Sequence, residues 1–104
     1  MIYVRNRRTW KGFWGTYIGR GSPLNNPFVM ESEADRDRVI QQYRRWLWEK
    51  ITSTEDNEVL KEIHRLVDIA KKKDLYLVCW CAPKACHGDV VKACIEWMLK
   101  EEAK

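Results

Sequence analysis

The sequence predicts a small single-domain α/β sandwich with a mostly parallel sheet. Three observations predict it. Leu75 to Cys81 is an unbroken run of seven residues without a charge, the pattern of a central strand buried on both faces. Two stretches with apolar residues at helical spacing lie between this run and a strand-like N-terminus, and a third helical stretch follows it. Strands, two helices, a buried strand and a helix is an order that favours at least partly parallel pairing. With 104 residues, the chain has the size of one domain spanning 1–104 and can bury one core.

Each element has its own signal. Ile2-Tyr3-Val4-Arg5 is a short β-rich stretch, and Thr16-Tyr17-Ile18-Gly19 is expected to form a second strand, with 10–15 as the turn region between them. Gly19, Gly21, Ser22, Pro23, Asn25, Asn26 and Pro27 then crowd turn-forming residues together. Ser32 and Asp35 resemble a capping box, with Asp in place of the usual Glu. Behind them Val39, Ile40, Tyr43, Trp46 and Leu47 predict a helix over about 33–50. Ser53 or Thr54 is the expected cap of a second helix, whose stripe is Val59, Leu60, Ile63, Leu66, Val67 and Ala70. Lys71, Lys72 and Lys73 fall in its last turn, where cations suit the helix dipole. Pro83 ends the buried strand 75–81. A C-terminal helix to about Glu101 presents Val90, Val91, Cys94, Ile95 and Met98 on one face.

Composition narrows the class. Hydrophobic residues make up 45% and charged residues 33%, which excludes a disordered chain and fits a soluble domain. No apolar run is long enough to cross a membrane, and Met1-Ile2-Tyr3-Val4-Arg5 lacks the apolar core of a signal peptide. The four cysteines (Cys79, Cys81, Cys86, Cys94) all lie in the last quarter of the chain. A secreted disulfide scaffold would spread them to staple distant loops, so reduced thiols in a cytoplasm are expected.

The net charge of +4 is unevenly placed. Arg5, Arg7, Arg8, Lys11 and Arg20 lie within residues 1–30 without any acid, leaving 14 basic against 15 acidic residues in the remainder. A partner with phosphates or carboxylates follows from this asymmetry.

Two constellations carry possible chemistry. The first is Cys79-Trp80-Cys81-Ala82-Pro83-Lys84-Ala85-Cys86-His87-Gly88-Asp89, joining the C-terminal end of a buried strand to a helix N-terminus. Ligands bind at that edge of open α/β sheets, and the free amides of a helix start favour an anion. The same field favours a thiolate at Cys86. His87 is the candidate acid or base, and Asp89 either orients it or caps the helix. Cys79 and Cys94 fit a core role better than a chemical one. Cys86 and His87 do not, because a loop at the strand edge is a poor place to bury them. Zinc at Cys79, Cys81, Cys86 and His87 is a minority alternative: the ligand types suit the ion, but the C-x-C-x4-C-H spacing lacks paired C-x2-C knuckles.

The second constellation is Asn6-Arg7-Arg8-Thr9 together with Arg20-Gly21-Ser22-Pro23-Leu24-Asn25-Asn26-Pro27-Phe28. Arginine grips phosphate or carboxylate bidentately, and Asn, Ser and Thr add neutral hydrogen bonds. The alternative is a solvated basic loop. Of the six tryptophans, Trp46 and Trp97 lie at spacings that suggest core and Trp80 lies in the buried strand. Trp10, Trp14 and Trp48 suit a pocket wall, a stacking surface or an oligomer contact.

Together, Asn6 to Thr9, Tyr17 to Phe28 and Cys79 to Asp89 resemble an uncharacterised family of bacteria and phages, the domains of unknown function numbered 4326, over nearly the whole chain. In that family the second motif commonly ends S-P-L-G-N-P-F, so Asn25 stands where a glycine is usual, and Asn tolerates the same turn. The Cys-His pair after a cysteine-bearing strand also resembles the uncharacterised family numbered 488. Neither resemblance implies an activity.

The expected function is therefore binding of a phosphate-bearing small molecule, a nucleotide or nucleotide derivative, in one pocket between the two basic loops and the Cys-His loop. Arg7, Arg8 and Arg20 would hold the anion. Asn6, Thr9, Ser22 and Asn26 would orient it, Trp10 would cover a base, and Cys81 and Asp89 would close the opposite side. Any turnover would fall to Cys86 or His87. The rivals are a nucleic-acid-binding module, for which five charges without a basic helix are a modest footprint, and a non-catalytic sequestering or protein-interaction domain. A homo-oligomer is compatible with both.

Overall fold

In the computed structural model, which describes residues 1–12, 15–80, 84 and 86–103, three strands form one sheet. Strand β1 is Ile2–Asn6, β2 is Thr16–Tyr17 and β3 is Leu75–Cys79. Their order is β1-β3-β2, and both pairings are parallel, with Ile2 opposite Leu75 and Tyr17 opposite Val78. β3 is the central strand, as its apolar run predicts. It ends earlier than expected: Cys79 is its last residue, and Trp80 turns away with 59% of its surface exposed. β2 is also shorter than the predicted 16–19, although the Ile18 amide still donates to the Val78 carbonyl at 3.0 Å.

Alternation along the strands gives the sheet two different faces. Ile2 and Val4 of β1 and Leu75, Leu77 and Cys79 of β3 point toward the helices. Tyr3, Arg5, Tyr76 and Val78 point the other way. On this second face Tyr3 stacks on Tyr76 at 5.1 Å, and Trp10, from the connection between β1 and β2, stacks on Tyr76 at 4.6 Å. Among its described residues that connection, which joins two strands parallel to β3, carries no helix.

Three helices cover the first face. A 3-10 turn, Glu33–Asp35, leads into α1, Arg36–Ile51; α2 is Glu58–Lys72 and α3 is His87–Glu102. The helix expected from 33 thus begins as 3-10 and becomes α-helical at 36. Ser32 precedes that turn without a side-chain cap, and the Asp35 carboxylate instead accepts from the Glu31 amide. The second helix is capped neither by Ser53 nor by Thr54. Asn57 caps it, its Oδ1 accepting from the Leu60 amide at 2.8 Å while its Nδ2 donates to the Lys50 carbonyl at 3.0 Å. One amide side chain thereby starts α2 and satisfies the end of α1.

The core joins Ile18, Leu24, Tyr43, Leu47, Ile63, Leu66, Leu77, Val91 and Ile95, all at most 2% exposed. α3 lies against the sheet at Gly88, where an added Cβ would come within 3.0 Å of Val4 and 3.3 Å of Ile18. Trp97, placed in the core by its spacing, is instead 45% exposed, because the α3 stripe is filled by Val91, Ile95 and Met98 before it reaches that position. Cys94 is half-buried at the edge of the stripe.

Tyr43 carries a buried polar contact, its hydroxyl donating to the Leu24 carbonyl at 2.7 Å. Tyr43→Phe leaves that carbonyl without its donor and is expected to cost about 1–3 kcal/mol. Equilibrium urea unfolding of the two proteins measures the loss.

Candidate functional site

All three strands run in the same direction, so their C-terminal ends reach one edge, and the segments after Asn6, Tyr17 and Cys79 leave from it. The segment after β2 is a compact turn system. Ser22 donates its amide to the Gly19 carbonyl and Asn25 donates to Ser22. Gly21 takes φ +93°, a conformation open to glycine at little cost. Asn26 folds back, its Oδ1 accepting from the Phe28 amide at 2.8 Å. Leu24, fully buried, pins the turn to the core.

This turn system and the start of α3 enclose a pocket of about 210 Å³. Gly19, Arg20, Asn25 and Asn26 form one wall, Cys86, His87 and Trp80 the opposite one, and Phe28, Met30, Val39, Ile40 and Arg36 complete it. Arg20 is exposed and makes no ion pair among the described residues. Arg36 is engaged, with two bonds to Glu33 of 2.9 and 2.8 Å. The Arg36 guanidinium, helped by Lys84, holds the Glu33 carboxyl down at about 2.

The first turns of both α1 and α3 border this pocket: Arg36, Val39 and Ile40 from one, His87 from the other, with Cys86 as the N-cap of α3. The starts of two 16-residue helices therefore border the same space as Arg20, each with acids of its own in the opening turn, Glu33, Asp35 and Asp37 at α1 and Asp89 at α3.

Cys86 and His87 are buried, contrary to the sequence expectation, with exposures of 4% and 9%. The physical reason is the anchoring each supplies. Cys86 Sγ accepts from the Gly88 amide at 3.3 Å and lies 3.3 Å from Cys79 Sγ, while the Asp89 carboxylate accepts from the Cys86 amide at 3.1 Å. The result is a capping box with a thiol in the usual place of a hydroxyl. Asp89 is a cap rather than a pocket residue. The His87 Nε2–H donates to the Ile18 carbonyl at 2.8 Å, and the ring meets Tyr43 edge-on at 5.0 Å. Burial lowers the His87 pKa from its ordinary value, so the ring is neutral at pH 7 and Nδ1 retains its lone pair.

The single cleft expected from the sequence is divided. Arg7 and Trp10 line a second cavity of about 450 Å³, with Lys11, Gly12, Gly15, Tyr17 and Val78. Trp80 borders the first cavity and Tyr17 the second, and the Trp80 Nε1–H donates to the Tyr17 hydroxyl at 3.0 Å between them. Asn6 is a bracket at the same edge: its Nδ2 donates to the Trp80 carbonyl at 3.1 Å, and its Oδ1 accepts from the Arg8 amide at 2.8 Å. Arg8 and Thr9 are exposed and line neither cavity. Ser22 does not reach the pocket either, and its Oγ is buried without a hydrogen-bond partner among the described residues. Cys81, and with it one of the four candidate zinc ligands, lies outside the described residues, as does Trp14.

Sequence reasoning missed Arg36, Met30, Val39 and Ile40. Val39 and Ile40 carried a signal, but a helical stripe does not distinguish a core position from one that continues past the core into a pocket wall.

A family model described as "Domain of unknown function (DUF4326)" matches residues 2–97. The chain belongs to that family. No curated protein and no solved structure matches it.

The buried His87 makes stability depend on pH. Its folded pKa lies below the unfolded value, so the unfolded chain takes up the proton first as pH falls. Stability should be level above about pH 6.5 and fall as pH drops from there toward the folded pKa. His87→Gln, whose amide can still donate to the Ile18 carbonyl, should flatten this slope. Urea unfolding between neutral and mildly acidic pH checks it, above the range in which Glu33 titrates.

Cys86→Ala should destabilise the chain by about 1 kcal/mol through the lost cap, whereas Cys86→Ser should retain more of it. Thermal unfolding compares the two.

Proposed function

We propose that this member of the DUF4326 family binds a phosphate-bearing small molecule, a nucleotide or nucleotide derivative, in the pocket at the C-terminal edge of its sheet. One observation carries the reading: the N-termini of α1 and α3 and the Arg20 guanidinium converge on one pocket beyond the ends of three parallel strands. Helix N-termini carry partial positive charge, and ligands of open α/β sheets bind beyond the C-terminal ends of the strands; the two features meet in this space.

The size of the pocket limits what enters. About 210 Å³ is less than a whole nucleotide-sized ligand usually occupies, so the phosphate and adjoining sugar would sit inside and a base would project outward. Trp80 lies at the rim with 59% of its surface exposed and offers a stacking face for that base. Trp10, assigned this role from sequence, already stacks on Tyr76 in the other cavity. Arg20 would meet the phosphate, and the Asn25 and Asn26 amides would orient the ligand. His87 Nδ1 would accept from a ligand hydroxyl. Cys86 Sγ and His87 Nε2 are both engaged by the fold, so the reading is one of binding, with no turnover assigned to either.

The full chain should be stabilised by one or more members of a panel of nucleoside mono-, di- and triphosphates, read by thermal shift and then by calorimetry. At a hundredfold excess over Kd the stabilisation is about 2.7 kcal/mol. Arg20→Ala should weaken binding at least tenfold, and Trp80→Ala should weaken nucleotides more than inorganic phosphate. A chain that ignores the whole panel but binds DNA or RNA with steep salt dependence would be the nucleic-acid module instead.

A further inference from the structure

The surface groove between α1 and α3 begins one helical turn beyond the pocket just described, at Arg44 and Val90. Both helices start at that pocket and run in the same direction, because Val39, Ile40 and His87 border it while Trp48, Ile51, Ala93 and Trp97 line the groove further along. The groove encloses about 350 Å³. Leu47, Ile51, Val90 and Cys94 form its floor. Trp48 and Trp97 stand over it, 52% and 45% exposed, with their rings edge to face at 5.5 Å. Two large aromatics in contact with each other and still half in water form an apolar patch of the kind that marks an interface.

Charge at the rims indicates what covers it. Arg44 and Arg45 flank Trp48 on the α1 side, and Glu96 adjoins Trp97 on the α3 side, with Lys100 a turn beyond. Several helix charges elsewhere are paired within the chain, as in Glu58–Lys61, Glu62–Arg65 and Asp68–Lys71. Arg44, Arg45 and Glu96 have no ion pair among the described residues. A uniformly acidic partner would suit one rim and repel the other. Each rim carries both signs, Arg44 and Arg45 with Glu49 on α1 and Glu96 with Lys100 on α3, and a two-fold rotation can bring the basic pair of one copy opposite the acid of the other.

We propose that the occupant of this groove is a second copy of the chain. A two-fold axis running along the groove lays α1 of one copy over α3 of the other. Trp48 then meets the partner's Trp97, and Arg44 and Arg45 come opposite the partner's Glu96. The contact is isologous, so each pairing forms twice.

Sedimentation velocity and light scattering on the full chain, from low to high micromolar concentration, test this. The expected mass is twice the chain's 12.5 kDa. Trp97→Glu should raise the dimer dissociation constant at least tenfold without altering the circular dichroism spectrum. Arg45→Glu and Glu96→Arg, both exposed substitutions, should each weaken the dimer, and the double variant should restore it. A chain that keeps the monomer mass of 12.5 kDa at every concentration overturns the proposal. So does a dimer indifferent to Trp97→Glu, or a charge swap that restores nothing.

Discussion

The hydrogen bond from His87 Nε2 to the Ile18 carbonyl is the contact on which the site depends. β2 has only two residues, too few to hold the turn that follows by strand pairing alone. The chain enters the core at Ile18 and again at Leu24, both fully buried, and buried irregular backbone must find donors for its carbonyls. Two helices supply them. His87 from α3 bonds Ile18, and Tyr43 from α1 bonds Leu24. The two rings also pack edge to face. The turn that carries Arg20, Asn25 and Asn26 is therefore fixed relative to both helix N-termini, and the pocket inherits its shape from that fixation.

The same economy explains the cysteine. An N-cap must accept a hydrogen bond, yet this one lies in the core beside Cys79. A hydroxyl there would satisfy the helix but carry further hydrogen-bonding demand into an apolar site. A thiol accepts weakly and otherwise behaves as a small hydrophobe. Asp89 completes the cap from the solvent side, reaching back to the Cys86 amide. In a Cys-His-Gly-Asp sequence that suggests nucleophile and base, these residues thus also serve helix initiation, core packing and loop anchoring.

The sheet, the three helices and the parallel order were legible because they rest on periodicity and on the uncharged run 75–81. The caps were less so: Asn57 won over Ser53 and Thr54 because it also satisfies the end of α1, a tertiary demand invisible to local rules. The pocket was half legible. The turn 19–28 and the Cys-His segment do meet, but Arg7 and Trp10 do not join them, because Trp80 swings out of the strand and bonds Tyr17 across the gap. No local pattern predicts where a strand residue leaves its ladder. Burial of Cys86 and His87 was missed for a related reason, since the carbonyl that recruits His87 lies 69 residues away.

Spatial distribution of charge decides between ligand classes more sharply than its total. The five cations of residues 1–30 are dispersed: Arg20 is at the pocket, Arg7 and Lys11 are at the cavity beyond the Tyr17–Trp80 contact, Arg5 lies over the Tyr3 ring and Arg8 is exposed outside both cavities. A polyanion gains affinity from many cations along a continuous track, each releasing counterions. Here a tryptophan–tyrosine contact interrupts the track. What remains at the pocket is the Arg20 guanidinium, with Arg36 held by Glu33 beside it, and two helix N-termini whose field fades within a turn. Such a field is strong at short range and weak beyond it, and that distance dependence is the physical ground on which the proposed function places one compact anionic group in the pocket instead of a long backbone across the surface.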